Sequence, residues 1–492
     1  MRYCLIFIFL FTQAQEQSNL MIDSFQTFKS YASTKYDQVL RPQFHFSSKK
    51  NWINDPNGLV YYKGEYHMFF QHNPKSINWG NMTWGHAISM DMIKWIQLPH
   101  AILPYGNGTI FSGTAVVDNT NSLGKNTEKE KAIVAYFTHA QKNEDPFYQS
   151  GAYSIDRGRS FNLIDQGKPL VPNQGFSDRK GRRTERDPKV FWHEPSKKWV
   201  MVLWLSKADI KNKKELGKVR FFCSNDLKNW QFLSDFDRRW VYECMDLIKL
   251  SVDGNSQNRK WLIYDASFDY EVGVFDGKSM ITNKSKYLGD LGKNYYAAQT
   301  FNNSPDGRTV IIGWMRTGKK SVFVDNNMPF NQQMSFPCTM ELKTTPEGIR
   351  LFRWPIKEIE SLYNSTNLFR KNKLSTINKK LAKNRYELID LYGSFNPKKV
   401  NNFEINIRGQ ILSYQKGKFY FENTELPSLN RSFKSFRVLL DRTSIEIFID
   451  EGYSVSTNYA ISDHSNKTIK LIGNEKVIFN LFRVSSLNSI WQ

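Results

Sequence analysis

Cysteine is scarce in this chain, with four among 492 residues. A fold stapled by several disulfides is therefore excluded, because one intrachain bridge at most is available once Cys4 is set aside in the N-terminal segment. Phosphate-loop and nucleophile-elbow signatures are also missing. His67 and His72 are five apart in a strand-like run, which points them to opposite faces. These residues therefore give little support for a metal site.

Apolar runs long enough to span a bilayer are absent as well. The short apolar stretch over residues 4–11 follows Arg2 and precedes Ala14, which predicts a secretory signal peptide over residues 1–14. A buried N-terminal helix would fit the same letters. Seven glycosylation sequons favour export, at Asn81, Asn107, Asn283, Asn302, Asn364, Asn430 and Asn466. We expect a secreted, extracellular glycoprotein with no membrane partner and make no prediction of its oligomeric state.

Acidic residues are few relative to basic ones, with 47 Asp and Glu against 68 Lys and Arg and a net charge of +21. No recognisable nucleic-acid-binding module accompanies this excess, so no nucleic-acid partner is expected. The basic tract over residues 370–385 is interpreted as a solvated interdomain segment. The second cluster, residues 179–183, is either an exposed loop or a basic rim at the mouth of a pocket.

Strand-like runs, by contrast, are abundant and repeat. Five apolar runs each follow another across a polar turn or loop, which predicts five successive hairpins. The hairpins pair residues 58–62 with 65–71, 113–117 with 131–138, 188–192 with 198–205, 245–250 with 260–267, and 297–301 with 308–315. This repeat predicts a five-bladed β-propeller, with an irregular β-sandwich as the alternative.

Composition places the domain boundaries. Twelve of the 13 Trp residues lie between Trp52 and Trp354, and strand patterning resumes after the basic tract. The sequence therefore predicts an all-β protein, with the propeller over residues 40–355, a linker over 356–385 and a C-terminal β-sandwich over 386–492.

Three carboxylates precede the first strands of their hairpins: Asp55, Asp187 and Glu243. Ser112 and the region of residues 298–299 hold the equivalent positions in the other two repeats. Taken alone, Asp55 in its Asn-Asp-Pro-Asn-Gly cluster would indicate only a turn. The innermost strands of a propeller lie side by side, however, so equivalent strand ends converge. The repeat thus predicts one pocket that holds all three carboxylates.

Such a pocket suits sugar chemistry. Carboxylates bind sugar hydroxyls, and aromatic rings, which are frequent here, pack against sugar C–H faces. Cleavage of a glycosidic bond needs one carboxylate as nucleophile or base and a second group as proton donor. A proton donor needs a raised pKa, which burial and a neighbouring carboxylate provide.

Several motifs in the chain resemble those of glycoside hydrolase family 32, the β-fructosidases that include invertases, inulinases and levanases. The resemblance extends over nearly all of the chain after the predicted signal peptide. Its motifs begin at Trp52 (Trp-Ile-Asn-Asp-Pro-Asn-Gly), Phe70 (Phe-Gln-His-Asn-Pro), Trp84 (Trp-Gly-His-Ala), Phe111 (Phe-Ser-Gly), Arg186 (Arg-Asp-Pro), Glu243 (Glu-Cys), Tyr296 (Tyr-Ala-Ala-Gln-Thr-Phe) and Gly313 (Gly-Trp-Met). The family fold, a five-bladed propeller followed by a β-sandwich, agrees with the repeat.

The resemblance implies roles for individual residues. Asp55 is similar to the family's nucleophile, Glu243 to its general acid and base, and Asp187 to its transition-state stabiliser. Residues similar to those of the fructose subsite are Asn54, Gln71, Trp79, Phe111, Ser112, Arg186 and Trp314. A cation at Arg186 would also keep Asp187 ionised. The implied reaction is retaining hydrolysis of terminal β-D-fructofuranosyl residues of sucrose or fructans, without metal or cofactor.

Three alternatives stay open at this point. An arabinan- or xylan-type glycosidase shares a propeller with three carboxylates but inverts configuration. A fructosyltransferase passes fructose to a sugar instead of water, and an inactive lectin only binds it. The chain departs from the family pattern at Met245 and at Cys338, neither of which is a predicted catalytic carboxylate.

Overall fold

Strands dominate the structure, a computed structural model that describes residues 31, 34–209, 214–318, 321–426, 433–461, 463 and 465–491. The predicted signal peptide, residues 1–14, lies outside these residues. The described helices are α1 (Val322–Asp325), α2 (Leu374–Leu381) and the 3-10 helices Ile164–Gly167, Glu194–Ser196, Lys357–Leu362 and Asp450–Gly452. The all-β prediction is confirmed. Within the part of the chain that the structure describes, no helix has the length and apolarity needed to span a lipid bilayer.

Three antiparallel sheets follow one another along the chain. The first contains β1 (Asn51–Tyr62), β2 (Glu65–Asn73), β3 (Thr83–Ser89) and β4 (Ile96–Ile102). The second contains β5 (Gly108–Val117), β6 (Ile133–Gln141), β7 (Tyr148–Ser154) and β8 (Asn162–Leu163). The third contains β9 (Arg186–His193), β10 (Lys198–Asp209), β11 (Lys214–Ser224) and β12 (Gln231–Arg238). Strands β2 and β6 are buried along almost their whole length, because other layers cover both of their faces.

A fourth sheet of ten strands comes from two stretches of chain. The first stretch forms β13 (Asp246–Val252), β14 (Asn255–Tyr264), β15 (Asp269–Phe275), β16 (Met280–Thr282) and β17 (Tyr287–Leu288). The second forms β18 (Tyr295–Thr300), β19 (Val310–Met315), β20 (Phe330–Asn331), β21 (Gln333–Met334), β22 (Cys338–Thr345) and β23 (Gly348–Pro355), of which β20 joins the first sheet instead.

All five predicted hairpins form, as β1–β2, β5–β6, β9–β10, β13–β14 and β18–β19. The hydrogen-bonded sheets do not map one to one onto five blades. A parallel pairing of Val252 with Leu342 joins the fourth and fifth groups of strands into the ten-stranded sheet. The arrangement is consistent with a propeller, and the count of five blades stays a prediction.

The first strands of the hairpins surround a common centre. β5 lies between β1 and β9, and β18 lies beside β1. Lys189 of β9 connects the remaining strands, with its Nζ 3.0 Å from Asp246 Oδ2 of β13 and 3.1 Å from Thr300 Oγ1 of β18. The ring closes where β18 meets β1, with a parallel bridge between Asn302 and Val60, and β20 pairs in parallel with the start of β1, Phe330 opposite Asn51.

The C-terminal strands form two more sheets. The six-stranded one contains β24 (Tyr363–Lys373), β25 (Ile389–Phe395), β30 (Ser435–Leu440), β31 (Ser444–Ile449), β32 (Ser454–Tyr459) and β34 (Ile478–Leu487). The five-stranded one contains β26 (Asn402–Ile407), β27 (Gln410–Gln415), β28 (Lys418–Phe421), β29 (Thr424–Leu426) and β33 (Ile469–Gly473). Leu391 and Val438 of one sheet share a buried core with Phe403 and Leu412 of the other, as in a β-sandwich.

Residues 363–381 differ from the linker that the sequence predicts over 356–385. β24 pairs antiparallel with β34, Phe369 opposite Phe482, and Ile377 of α2 is part of the sandwich core. Most side chains of β24 are exposed, because it is an edge strand. Lysines on an edge strand discourage further pairing, and they give β24, which pairs only with β34, the composition of a solvated segment.

A buried polar cluster joins the N-terminal segment to the C-terminal sheets. His45 Nδ1 lies 2.8 Å from Asp441 Oδ2, and His45 Nε2 lies 2.8 Å from Glu446 Oε1, with all three side chains fully buried. The Phe336 N–H, just before β22, donates to the same Glu446 oxygen at 2.7 Å. The large core around the ring also includes Leu439 and Phe448 of the sandwich. The two groups of sheets therefore share buried contacts.

Candidate active site

All ten site residues predicted from the sequence line one cavity of about 420 Å³. They are Asn54, Asp55, Gln71, Trp79, Phe111, Ser112, Arg186, Asp187, Glu243 and Trp314. The cavity lies at the mouth of the strand ring, and strands from all four N-terminal sheets border it. Convergence of equivalent strand ends, which the repeat predicts, brings these distant residues together.

Irregularities in the inner strands aim these side chains at the cavity. The pairing register shifts between Ile53 and Pro56 in β1 and between Ile110 and Gly113 in β5, on either side of Asp55 and Ser112. A β-bulge bends its strand and redirects a side chain, so bulges are frequent beside active sites. Asp55 therefore lies within β1, at a bulge, and not before the strand as the sequence predicts.

The other two carboxylates also occupy unusual backbone conformations. Asp187 in β9 has φ 65°, Glu243 has φ 37° and Cys244 has φ 45°. Non-glycine residues adopt this left-handed region at a cost of about 1–3 kcal/mol, and functional sites are where such strain accumulates. In these backbone conformations the side chains of Asp187 and Glu243 enter the cavity.

Asp55 is held by hydrogen bonds to both of its oxygens. The Ser112 hydroxyl donates to Oδ2 at 2.5 Å, and the Asn54 amide donates to Oδ1 at 3.1 Å. Trp52 Nε1 in turn donates to Asn54 Oδ1 at 2.7 Å and fixes that amide. Burial raises the pKa of Asp55 above its ordinary value, the Ser112 bond opposes this shift and the charge of Glu243 adds to it. The oxygens are thus fixed in direction at the floor of the cavity.

Asp187 contacts the turn that carries Glu243. Its Oδ2 accepts the Cys244 backbone N–H at 3.0 Å, and its own N–H donates to Thr138 Oγ1 at 2.8 Å. Burial raises the pKa of Asp187 to about 7, and the charge of Arg186 only partly offsets this effect. The sequence analysis expects Arg186 to keep Asp187 ionised. Arg186 does lower the pKa of Asp187, but burial raises that pKa by more.

Arg186 pairs chiefly with Glu243. Its Nε and Nη2 donate to Glu243 Oε2 at 2.9 and 2.7 Å, whereas Asp187 Oδ2 lies 3.8 Å from Nε. The guanidinium stacks on the Trp204 ring, 4.4 Å from its centroid, and Nη1 donates to the Thr184 carbonyl at 2.7 Å. A forked, stacked cation is a rigid partner for a carboxylate. Glu243 is therefore fixed on one side by Arg186.

Tyr296 fixes Glu243 on the other side, and it is a residue that the sequence analysis does not assign. Its hydroxyl donates to Glu243 Oε1 at 2.6 Å. Burial, together with the charge of Glu243, raises the pKa of Tyr296 and keeps the hydroxyl protonated. The fifth repeat thus supplies Tyr296 to the cavity and not residues 298–299, because a bulge at Ala297 shifts the register of β18. The only sequence signal for Tyr296 is the family motif that begins at this residue.

A buried ion pair supports the turn after Glu243. Asp246 Oδ2 accepts from Lys189 Nζ at 3.0 Å, from the Tyr264 hydroxyl at 2.9 Å, and from the Thr300 N–H and hydroxyl at 3.0 and 2.8 Å. All four residues are buried. The pair ties β9, β13 and β18 together below the cavity. Met245, the departure from the family pattern, is buried beside it and does not line the cavity.

Aromatic residues form one wall of the cavity mouth. Trp79 is 59% exposed and makes an edge contact with Phe111, with ring centroids 6.1 Å apart. Phe147 packs on Phe111 at 5.5 Å, and Trp314 closes the far side against Trp52. An exposed Trp beside a polar pocket offers an apolar surface to a sugar ring.

Two arginines also line the cavity. Arg182 from the cluster at residues 179–183 lines the cavity together with Arg316, and both are exposed. Both sequence interpretations of that cluster hold in part: the loop is exposed, and its Arg182 belongs to the rim. Asp178, Thr184 and Tyr242 line the cavity here too, and no sequence pattern marks them.

Among the residues that the structure describes, no group of three or more His, Cys, Asp and Glu side chains is arranged to hold a metal ion. Cys223, Cys244 and Cys338 are free and buried. The Cys244 thiol lies 3.5 Å from Asp55 Oδ2 and 3.4 Å from Asp187 Oδ2, and burial raises its pKa. The thiol is therefore a neutral neighbour of the carboxylates.

Comparison with known proteins gives a consistent picture. Residues 45–355 match the glycosyl hydrolases family 32 N-terminal domain. The chain is 33% identical over 508 residues to a levanase of Bacillus subtilis, covering 93% of this chain and 72% of the levanase. It is 32% identical over 480 residues to an extracellular exo-inulinase of Aspergillus awamori, covering 89% and 86%.

A crystal structure of exo-inulinase from Aspergillus awamori has the same fold, with a TM-score of 0.77 and 27% identity. The alignment covers 93% of this chain and all of that one. The matched domain contains every residue that lines the cavity. The chain therefore belongs to glycosyl hydrolase family 32 and is a glycosidase.

Proposed function

We propose that this glycosidase is a secreted, retaining β-fructofuranosidase that releases terminal β-D-fructofuranosyl residues from sucrose and fructans. The observation that carries the proposal is the meeting in one cavity of Asp55 from β1, Asp187 from β9 and Glu243 from the turn before β13. The relatives named levanase and exo-inulinase support the substrate class.

Asp55 is the proposed nucleophile. One of its oxygens attacks the anomeric carbon of the fructosyl residue while the bond from that carbon to the leaving oxygen breaks. Glu243 donates a proton to the leaving oxygen, so the released sugar departs as a neutral alcohol. The hydrogen bonds from Ser112 and Asn54 hold Asp55 in one orientation for this attack.

The second step reverses the roles. Water attacks the anomeric carbon of the fructosyl-enzyme, Glu243 takes the water proton, and Asp55 is released as a carboxylate. Arg186 and Tyr296 contact different oxygens of Glu243, so both oxygens keep their positions through the proton transfers. The two displacements together retain the configuration at the anomeric carbon.

Asp187 is the proposed stabiliser of the transition state. Positive charge develops on the fructose ring in both steps, and a buried carboxylate interacts strongly with it. The raised pKa of Asp187 means that its negative charge is poorly stabilised in the empty cavity. A positive transition state relieves that penalty, whereas a neutral substrate does not, which favours the transition state over the ground state.

Secretion is part of the proposal, and the sequons support it. Asn81, Asn107, Asn283 and Asn364 are exposed on the structure. Asn302 differs, because its Nδ2 donates to the Ala115 carbonyl at 2.8 Å within the ring of strands. We therefore expect glycans at exposed sequons and none at Asn302, which peptide mapping of protein made in a secretory host would measure.

The test is to incubate the purified protein with sucrose, inulin and levan and to measure released fructose. NMR of the first product distinguishes the alternatives: β-fructofuranose indicates retention, and the α anomer indicates an inverting enzyme. Oligosaccharide products indicate transfer. Asp55→Ala should abolish release, while Glu128→Ala, at an exposed site outside the cavity lining, should not. No fructose from any substrate, or full activity of Asp55→Ala, would contradict the proposal.

A further inference from the structure

The basic rim of the cavity contains a cation that is fixed in place before any ligand binds. Arg182 Nε donates to Asp178 Oδ2 at 2.8 Å, and its Nη2 lies 2.6 Å from the same oxygen. Asp178 is buried, and its other oxygen accepts the backbone N–H groups of Lys180 and Arg182 at 2.8 and 2.9 Å. The turn over residues 178–182 therefore holds the Arg182 guanidinium in a fixed position.

The turn over residues 178–182 is connected to the chain just before β7 of the second sheet. The Phe147 N–H donates to the Arg183 carbonyl at 2.9 Å, and Phe147 itself lines the cavity. Thr184, one residue further, accepts from Arg186 through its carbonyl, and Arg186 pairs with Glu243. A continuous series of contacts thus leads from the turn to one oxygen of Glu243.

Arg316 occupies the matching place on the other flank of Glu243. Its guanidinium lies 4.3 Å from the centroid of the Tyr296 ring, and Tyr296 donates to the other Glu243 oxygen. Its backbone is fixed by two hydrogen bonds with Asn294, at 2.9 and 2.7 Å. Two forked donors therefore stand at the mouth, one on each side of the proposed acid.

The positions of Arg182 and Arg316 at the cavity mouth indicate which part of the substrate they contact. The fructosyl ring must lie at the floor, against Asp55 and Asp187, and Glu243 must reach the oxygen that joins it to the next sugar. That next sugar then lies at the mouth, on the side of Glu243. It meets Arg182, Arg316 and the exposed Tyr242 ring there.

We propose that Arg182, held by Asp178, and Arg316 together bind the sugar that leaves and set the preference for it; this rests on the function proposed above. The guanidinium N–H groups donate to hydroxyls of that sugar. Because Asp178 neutralises Arg182, the pair supplies directed donors without attracting anions strongly. Neither residue touches the fructosyl ring, so the effect is confined to substrates whose leaving group is a sugar.

The test compares substrates that differ only in the leaving group. Sucrose and inulin release a sugar, whereas methyl β-D-fructofuranoside releases methanol, which is too small to reach the rim. For Arg182→Ala and Arg316→Ala we expect the ratio of kcat/KM for sucrose to kcat/KM for the methyl fructoside to fall about 10-fold, as for loss of a charged hydrogen bond. Lys180→Ala, on the same turn but outside the cavity lining, should leave the ratio as in the wild type.

Arg182→Lys separates binding from folding, because lysine retains the charge but cannot make the same forked contact with Asp178. We expect it to give an intermediate ratio, while kcat/KM for the methyl fructoside stays at the wild-type value because the catalytic residues keep their places. A ratio unchanged in both alanine variants, or an equal loss on both substrates, would overturn the proposal. A wild type that cleaves none of these substrates would instead refute the function on which it rests.

Discussion

The backbone N–H of Cys244 donates to Asp187 Oδ2 over 3.0 Å, so the residue that follows the proposed acid and base holds the proposed stabiliser. The thiol of the same residue lies 3.5 Å from Asp55 Oδ2. One residue therefore contacts two carboxylates, and its chain neighbour Glu243 supplies the third. The buried pair of Lys189 and Asp246 supports this turn from below. The strained turn at residues 243–244 therefore contacts Asp55 and Asp187 and supplies Glu243.

Glu243→Ala tests the proton-donor role. We expect kcat for sucrose to fall by roughly 10²–10⁴-fold, the usual contribution of a general acid or base. The rate of fructosyl-enzyme formation from p-nitrophenyl β-D-fructofuranoside should fall less, because p-nitrophenolate leaves without being protonated. Added azide should restore turnover and yield β-fructosyl azide. An equal loss on both substrates with no azide product would contradict the assignment.

Asp187→Asn tests the effect of burying this carboxyl. The pKa of Asp187 is about 7 in the folded state and 3.8 ordinarily. The folded state therefore holds the proton more tightly, and this group makes the folded state progressively less stable as pH rises from about 4 to about 7. The variant lacks that penalty, so we expect it to be inactive but more stable, by about 1–2 kcal/mol at pH 8.

The stability gain of Asp187→Asn should shrink as pH falls toward 4, because the wild-type carboxyl is then protonated in the folded state and partly protonated in the unfolded state. Urea unfolding at pH 4.5 and pH 8 measures the difference. A variant that is no more stable than the wild type at pH 8, or equally stabilised at both pH values, would show that burial of Asp187 carries no such penalty.

His45→Ala tests the cluster that joins the two groups of sheets. Burial lowers the pKa of His45, but the contacts with Asp441 and Glu446 outweigh it and raise the pKa to about 9. Since the ordinary value is 6.5, the stabilisation is fully present below that pH and is lost as pH rises through about 9. Removing His45 leaves two buried carboxylates unpaired, which costs about 3–5 kcal/mol.

The expected result for His45→Ala is a large destabilisation at pH 6 that shrinks by pH 10, measured by guanidinium unfolding. His139→Ala is the matched control, because burial lowers the pKa of His139 and keeps it neutral over this range. Its destabilisation should not change between pH 8 and pH 10. A destabilisation of His45→Ala that is independent of pH would contradict the ionic interpretation.

Gly113→Ala tests the close approach of strands beside Ser112. A Cβ atom at this position would lie 1.9 Å from the Tyr136 carbonyl oxygen, which is backbone and cannot rotate away. We expect a loss of about 3 kcal/mol in the free energy of unfolding. Activity should also fall, because Ser112 moves relative to Asp55. Gly318→Ala is the control, since a Cβ there meets nothing within 4 Å, and it should match the wild type.

Both the hairpins and the ten cavity residues could be predicted from the sequence, but from different features of it. Apolar alternation marks each strand, and the repeat makes equivalent strand ends converge, which brings Asp55, Asp187 and Glu243 together. The subsite residues depend on the family resemblance. Ser112 illustrates both, because it holds an equivalent repeat position and also belongs to a family motif.

Contacts within the cavity were out of reach. Whether Arg186 pairs with Glu243 or with Asp187 depends on left-handed backbone at three residues, which no composition or period signals. Tyr296 replaces residues 298–299 because of one bulge, and a shift of register turns each side chain to the other face. β24 was missed since an edge strand buries few side chains. Local backbone geometry, not strand content, is therefore the part that the sequence does not reveal.

The pairing of β20 with β1 has a consequence for biosynthesis. The strand that carries Asp55 is made early, but its partner around Phe330 emerges only after most of the ring has been synthesised. Contacts between such distant segments form late in folding. A nascent chain that ends before β20 can form its hairpins, but the Asn51 end of β1 then lacks its parallel partner. The strand that carries Asp55 therefore acquires its last pairing partner only after all of the cavity residues have been synthesised.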